Sequence, residues 1–145
     1  MLRRFLREVF PKIISAKAHS VIDYGYVGGN LIAAAIMRKN NRAASSAAFG
    51  LAFAALLNAV LTDYPLGVFR VYSFRTHGVV DYGISAAAEM VPKMMEFTEH
   101  AERKYFRVLS ASGLLVAELS NYGETFGSVR TKNHLSMTQR RSATD

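Results

Sequence analysis

The chain has no cysteine among its 145 residues, which excludes a disulfide frame and thiolate chemistry. Acid is scarce: 11 Asp and Glu stand against 18 Lys and Arg, a net charge of +7. A basic excess of this size raises nucleic acid as a partner. The basic residues flank apolar stretches instead of lining one helix, which is the membrane pattern, so no nucleic acid is expected. Enzyme signatures are also missing. The serines lack a nucleophile-elbow context. Gly28-Gly29 follows no strand and is no phosphate loop, and no His-Glu-x-x-His occurs. Charge itself is absent from residues 43–62.

What is present is segregated. Half of the residues are apolar, while polar residues crowd at the ends and in short loops. His19-Ser20-Val21-Ile22-Asp23-Tyr24-Gly25 returns 58 positions later as His77-Gly78-Val79-Val80-Asp81-Tyr82-Gly83. The same offset carries Leu61-Thr62-Asp63-Tyr64 onto Leu119-Ser120-Asn121-Tyr122 without a gap. A match in two blocks at one register reads as a duplicated supersecondary unit, neither copy burying its apolar faces alone.

Each copy reads as two helices, at roughly 18–37 and 43–63, then 76–95 and 105–122. Spans of about 20 residues suit a hydrocarbon core. Abundant Gly and Ala let membrane helices approach closely. The fold expected is an all-α, four-helix transmembrane bundle of two tandem hairpins, the soluble alternative being an Ala-rich four-helix bundle. Residues 1–17 read as an amphipathic interfacial segment, with a targeting peptide as the other possibility. Residues 18–63 form the first hairpin, 64–75 a linker with Pro65-Leu66-Gly67 as its turn, and 76–122 the second hairpin. Residues 123–145 are expected to be a polar, disordered tail. The loop carboxylates Glu96, Glu99 and Glu102 read as a solvated face. Basic residues favour both termini in the cytoplasm.

This topology puts His19, His77, Thr62-Asp63 and Ser120-Asn121 at one membrane face, with Asp23 and Asp81 one turn deeper. Four residues apart, each His lies over its Asp on one helix face. Ionisable groups in a span normally face the bundle interior. The expected polar cluster is therefore His19, Asp23, Asp63, His77, Asp81 and Asn121. Asn30, Asn58, Glu89 and Glu118 are candidates for interhelical bonds. The leading reading is a non-enzymatic structural or assembly protein of the bilayer, held by its His–Asp pairs and needing no cofactor. A homo-oligomer or another membrane protein would be its partner. Three alternatives stay open. His19, Asp23, His77 and Asp81 are a plausible set of metal ligands. His19 and His77 could ligate a haem. Asp23, Asp81, Glu89 and Glu118 could carry protons or ions.

The segments His-x-Val-x-Asp-Tyr, Leu61-Thr62-Asp63-Tyr64-Pro65-Leu66-Gly67-Val68-Phe69-Arg70-Val71 and the second His-x-x-x-Asp resemble small bacterial membrane proteins of the SPW-repeat type. The resemblance covers roughly residues 17–95. Its Ser-Pro-Trp triplets are replaced: Val91-Pro92-Lys93 stands at the second place, Ala34 at the first, and the chain has no Trp. The resemblance implies a short, duplicated, four-span membrane protein and no particular activity.

Overall fold

The computed structural model describes residues 11–123. Four helices dominate: α1 Ala16–Met37, α2 Arg42–Leu61, α3 Phe74–Met94 and α4 His100–Leu119. Local chemistry sets their starts. Ser15, Asn41 and Ser73 sit in extended conformation, and each side chain accepts from the backbone N–H three residues on, satisfying a donor that the first turn leaves free. α2 and α4 end alike. Thr62 and Ser120 leave the helix at φ −82° with ψ 139° and 140°.

α1 packs on α2 and α3 on α4, and the α2–α3 contact joins the two hairpins. Small residues make the close contacts: Ala34, Ala44, Ala48 and Ala88 are buried together with Leu51, Phe97, Phe106 and Leu109. After α2 the chain forms β1 (Thr62–Asp63), which pairs in parallel with β2 (Tyr72–Ser73) just before α3. Ile14, just before α1, pairs in parallel with Ser120, just after α4. Positions 58 apart in the sequence thus take the same backbone roles, and each segment leading into a hairpin is tied to the end of one. Gly67 closes the β1–β2 connection, where a Cβ would fall 1.7 Å from the Thr62 carbonyl oxygen.

Polar side chains share the interior with the apolar core. Buried polar side chains include His19, Asn30, Asn58, His77, Ser85 and Ser110, while Ile32, Ile36, Phe49, Phe53, Val79, Met94 and Val108 are exposed. Among the described residues, one helix, Arg42–Leu61, is long and apolar enough to cross a membrane by length and composition. α1 and α3 each carry an Asp, and the first turns of α4 are charged.

Three expectations need correction. α4 begins at His100, not near 105. Glu99 is its N-cap residue and Glu102 lies in its first turn, where a helix N-terminus favours acid. Glu102 is no solvated side chain: it is buried and accepts from Asn41 Nδ2 at 2.8 Å. Of the segment expected as an interfacial helix, residues 1–10 lie outside the described residues. The chain is non-helical from Pro11 to Ser15. The expected tail, beyond Gly123, also lies outside the described residues.

Candidate metal centre

His19 on α1 and His77 on α3 are each 1% exposed. Their Nε2 atoms face each other at 3.1 Å. His19 Nε2 lies 3.2 Å from Asp23 Oδ1 and 3.2 Å from Asp81 Oδ2. His77 Nε2 lies 3.2 Å from Asp23 Oδ2 and 3.0 Å from Asp81 Oδ2. One ligand atom from each of the four residues falls within 4.8 Å of all the others. The i, i+4 spacing stacks each pair on its own helix, and the α2–α3 contact brings the two pairs together.

The other ring nitrogens decide what this arrangement can do. His77 Nδ1 is 2.7 Å from Thr62 Oγ1, whose hydroxyl donates to the Asn58 carbonyl. His19 Nδ1 is 2.6 Å from Ser120 Oγ, whose hydroxyl donates to the Val116 carbonyl. With each hydroxyl hydrogen so engaged, the hydroxyl oxygen must accept from the imidazole. Both rings therefore carry their hydrogen on Nδ1, and a neutral ring then presents a bare lone pair at Nε2. Were both rings neutral, two such lone pairs and two carboxylates would converge, and either a cation at the centre or a proton on Nε2 donated to a carboxylate would relieve the repulsion.

The carboxylates are held from outside as well. Tyr64 OH donates to Asp23 Oδ2 at 2.8 Å, and Asn58 Nδ2 donates to Asp81 Oδ1 at 2.8 Å. Tyr72 OH in turn donates to Asn58 Oδ1. A layer of rings covers the site on the side of the loops: Phe74 stands 5.1 Å from His19, and Tyr64 stands 5.2 Å from His77. Tyr122 packs on Phe74 at 4.7 Å. Burial pushes the Tyr64 and Tyr122 phenols well above their ordinary value, Asp23 adding to the effect at Tyr64 and Asp81 at Tyr122. Tyr64 therefore remains a proton donor to Asp23. Tyr122 also bears on Gly78, where a Cβ would meet its ring at 2.6 Å.

The cluster differs from the sequence expectation at two members. Asp63 points away and pairs with Arg70 at 3.7 Å. Asn121 uses its backbone N–H on the Ile14 carbonyl and its Oδ1 on the Gly123 N–H. Their predecessors, Thr62 and Ser120, hold the imidazoles instead. The cause is the extended exit from α2 and α4, along which successive side chains face opposite ways. Asn30 joins α1 to α4 by accepting from Tyr105 OH, and Asn58 joins α2 to α3. Glu118 accepts from Tyr82 OH and pairs with Lys12. Glu89 is exposed and has no interhelical partner among the described residues.

No protein-family model matches the chain, and no curated protein and no solved structure matches it either.

Proposed function

We propose that this protein is a membrane-embedded helical bundle that binds one divalent transition metal between two duplicated hairpins, through His19, Asp23, His77 and Asp81. The observation that carries this reading is the 3.1 Å approach of two Nε2 atoms whose partner nitrogens both donate to hydroxyls. Metal-binding histidines almost always donate their second N–H in this way, which fixes tautomer and ring orientation. The spacing also suits a metal. With bonds of about 2.0–2.1 Å, ligand atoms on a tetrahedron stand about 3.3–3.4 Å apart. The approaches around the two Nε2 atoms are 3.0–3.2 Å, with His19 facing Asp23 Oδ1 and His77 facing Asp23 Oδ2, and the four ligand atoms lie within 4.8 Å of one another, so the carboxylates must shift to complete a tetrahedron. A doubly charged ion would neutralise the two carboxylates. Two imidazoles and two carboxylates suit zinc, iron(II) or manganese(II).

Haem fits less well. A haem iron needs the two imidazoles on opposite faces of a porphyrin, and here two carboxylates crowd the same nitrogens. An ion path through Glu89 is not favoured, because that side chain faces outward. The bilayer reading draws on the outside of the bundle, where large apolar side chains are exposed, and on buried Ala, Ser and Asn at its helix contacts, as in membrane helix packing. Kinship with SPW-repeat proteins and cytoplasmic termini belong to the same proposal.

Elemental analysis of protein purified in detergent tests it. One metal per chain is expected, lost in the His19→Ala/His77→Ala double variant. A folded wild-type protein that stays free of metal after incubation with zinc, iron(II) or manganese(II) would instead favour a cluster held by shared protons, with a purely structural role.

A further inference from the structure

Beside three of the four ligands lies a cavity with about 40 Å³ of room, walled by His19, Asp23, Asp81, Tyr26, Ser85 and Gly113 among apolar neighbours. That is enough for one or two waters where polar partners exist. Asp81 Oδ2, on its wall, is buried without a hydrogen-bond donor, and buried polar groups rarely stay unpaired unless water, an ion or a ligand meets them. Ser85, 3% exposed and one turn below Asp81 on α3, adds a hydroxyl to the same wall.

We infer that the metal carries a fifth ligand, a water lodged in this cavity and positioned by Ser85. The inference rests on the metal-centre reading above. It changes what that centre is for, because metals closed by protein ligands are structural whereas reactive ones keep a position for water or substrate. The substrate class follows from charge and size. A divalent metal with two carboxylates is neutral, so an anion would add uncompensated charge beside Ile22, Ala55, Ile84 and Val116. A small uncharged molecule of a few heavy atoms fits. Its way in is a groove between α1 and α4 that shares Ile22 and Tyr26 with the cavity and whose lining also includes Gly25, Asn30, Tyr105 and Ser112.

Cobalt(II) replacing the native metal reports the coordination number by visible absorption. The wild-type protein is expected to give the weak bands of a five-coordinate ion. Ser85→Leu, which fills the cavity, should give the intense bands of a four-coordinate ion at unchanged cobalt content. Gly113→Ala is a milder second filler, since the new Cβ would fall 2.5 Å from Ser85 Oγ. With iron(II) in the site, nitric oxide serves as an uncharged two-atom probe. It should give a spin-3/2 signal in the wild type and none in Ser85→Leu. A four-coordinate spectrum from wild-type protein holding one cobalt per chain overturns the fifth ligand while leaving the metal centre standing. Failure to take up cobalt overturns the metal centre, and this inference with it.

Discussion

Thr62→Val separates a metal centre from a packing cluster. Valine keeps the shape of threonine and deletes one atom of consequence, the Oγ1 that lies 2.7 Å from His77 Nδ1. The imidazole N–H is then buried without an acceptor. The ring can escape that penalty by moving its hydrogen to Nε2, but this covers the lone pair that faces the metal. Both routes weaken binding. Loss of such a supporting bond costs about 10–100-fold in metal affinity, or about 1.4–2.8 kcal/mol. Ser120→Ala should act in the same direction through His19, whose Nδ1 stands 2.6 Å from Ser120 Oγ. Competition against a chelator of known affinity, in detergent, measures both. Asp63→Asn is the control. It lies beside Thr62 but pairs with Arg70, so affinity should not change. Wild-type affinity in Thr62→Val, or an equal loss in Asp63→Asn, would refute the reasoning.

Acid should release the metal, because each Nε2 must be unprotonated to bind and protons compete for it as pH falls; better retention at pH 5 than at pH 8 would contradict this. Tyr64→Phe removes the donor to Asp23 Oδ2 and should weaken metal binding by about tenfold in the same chelator assay, with helix content by circular dichroism unchanged. Gly67→Ala drives a Cβ into the Thr62 carbonyl, so the β1–β2 connection must shift and both melting temperature and metal affinity should fall. Asn41→Ala removes the α2 cap and the partner of buried Glu102; a loss above about 1 kcal/mol is expected, read by thermal unfolding in detergent.

Much of the centre could be read from the chain, because one regular period carries it. In both copies His and Asp lie four apart on a helix, and the 58-residue offset puts Thr62-Asp63 and Ser120-Asn121 in matching places. Asp63 and Asn121 drew attention because ionisable and amide groups suggest chemistry. The backbone decided otherwise: helical periodicity stops at Leu61 and Leu119, and in the extended residues that follow, the small hydroxyls turn inward. Tyr64 and Tyr122 lie beyond that change of period, so no helix-face argument could aim them at the site. The start of α4 was hidden for a different reason. Glu99, Glu102, Arg103 and Lys104 look like a solvated loop, yet acid suits a helix N-terminus and Glu102 finds Asn41 on another hairpin. That contact is tertiary and leaves no local trace. Glu89 shows the converse, a charge inside an apolar stretch that faces outward near the end of α3, where the helix nears its Pro92 turn.

X-ray absorption at the zinc edge of the zinc-loaded protein tests the centre most directly. The account predicts a first shell of nitrogen and oxygen alone at about 2.0–2.1 Å, with outer-shell scattering from two imidazoles that disappears in His19→Ala/His77→Ala. A spectrum lacking imidazole scattering, or one unchanged by the double substitution, would contradict it.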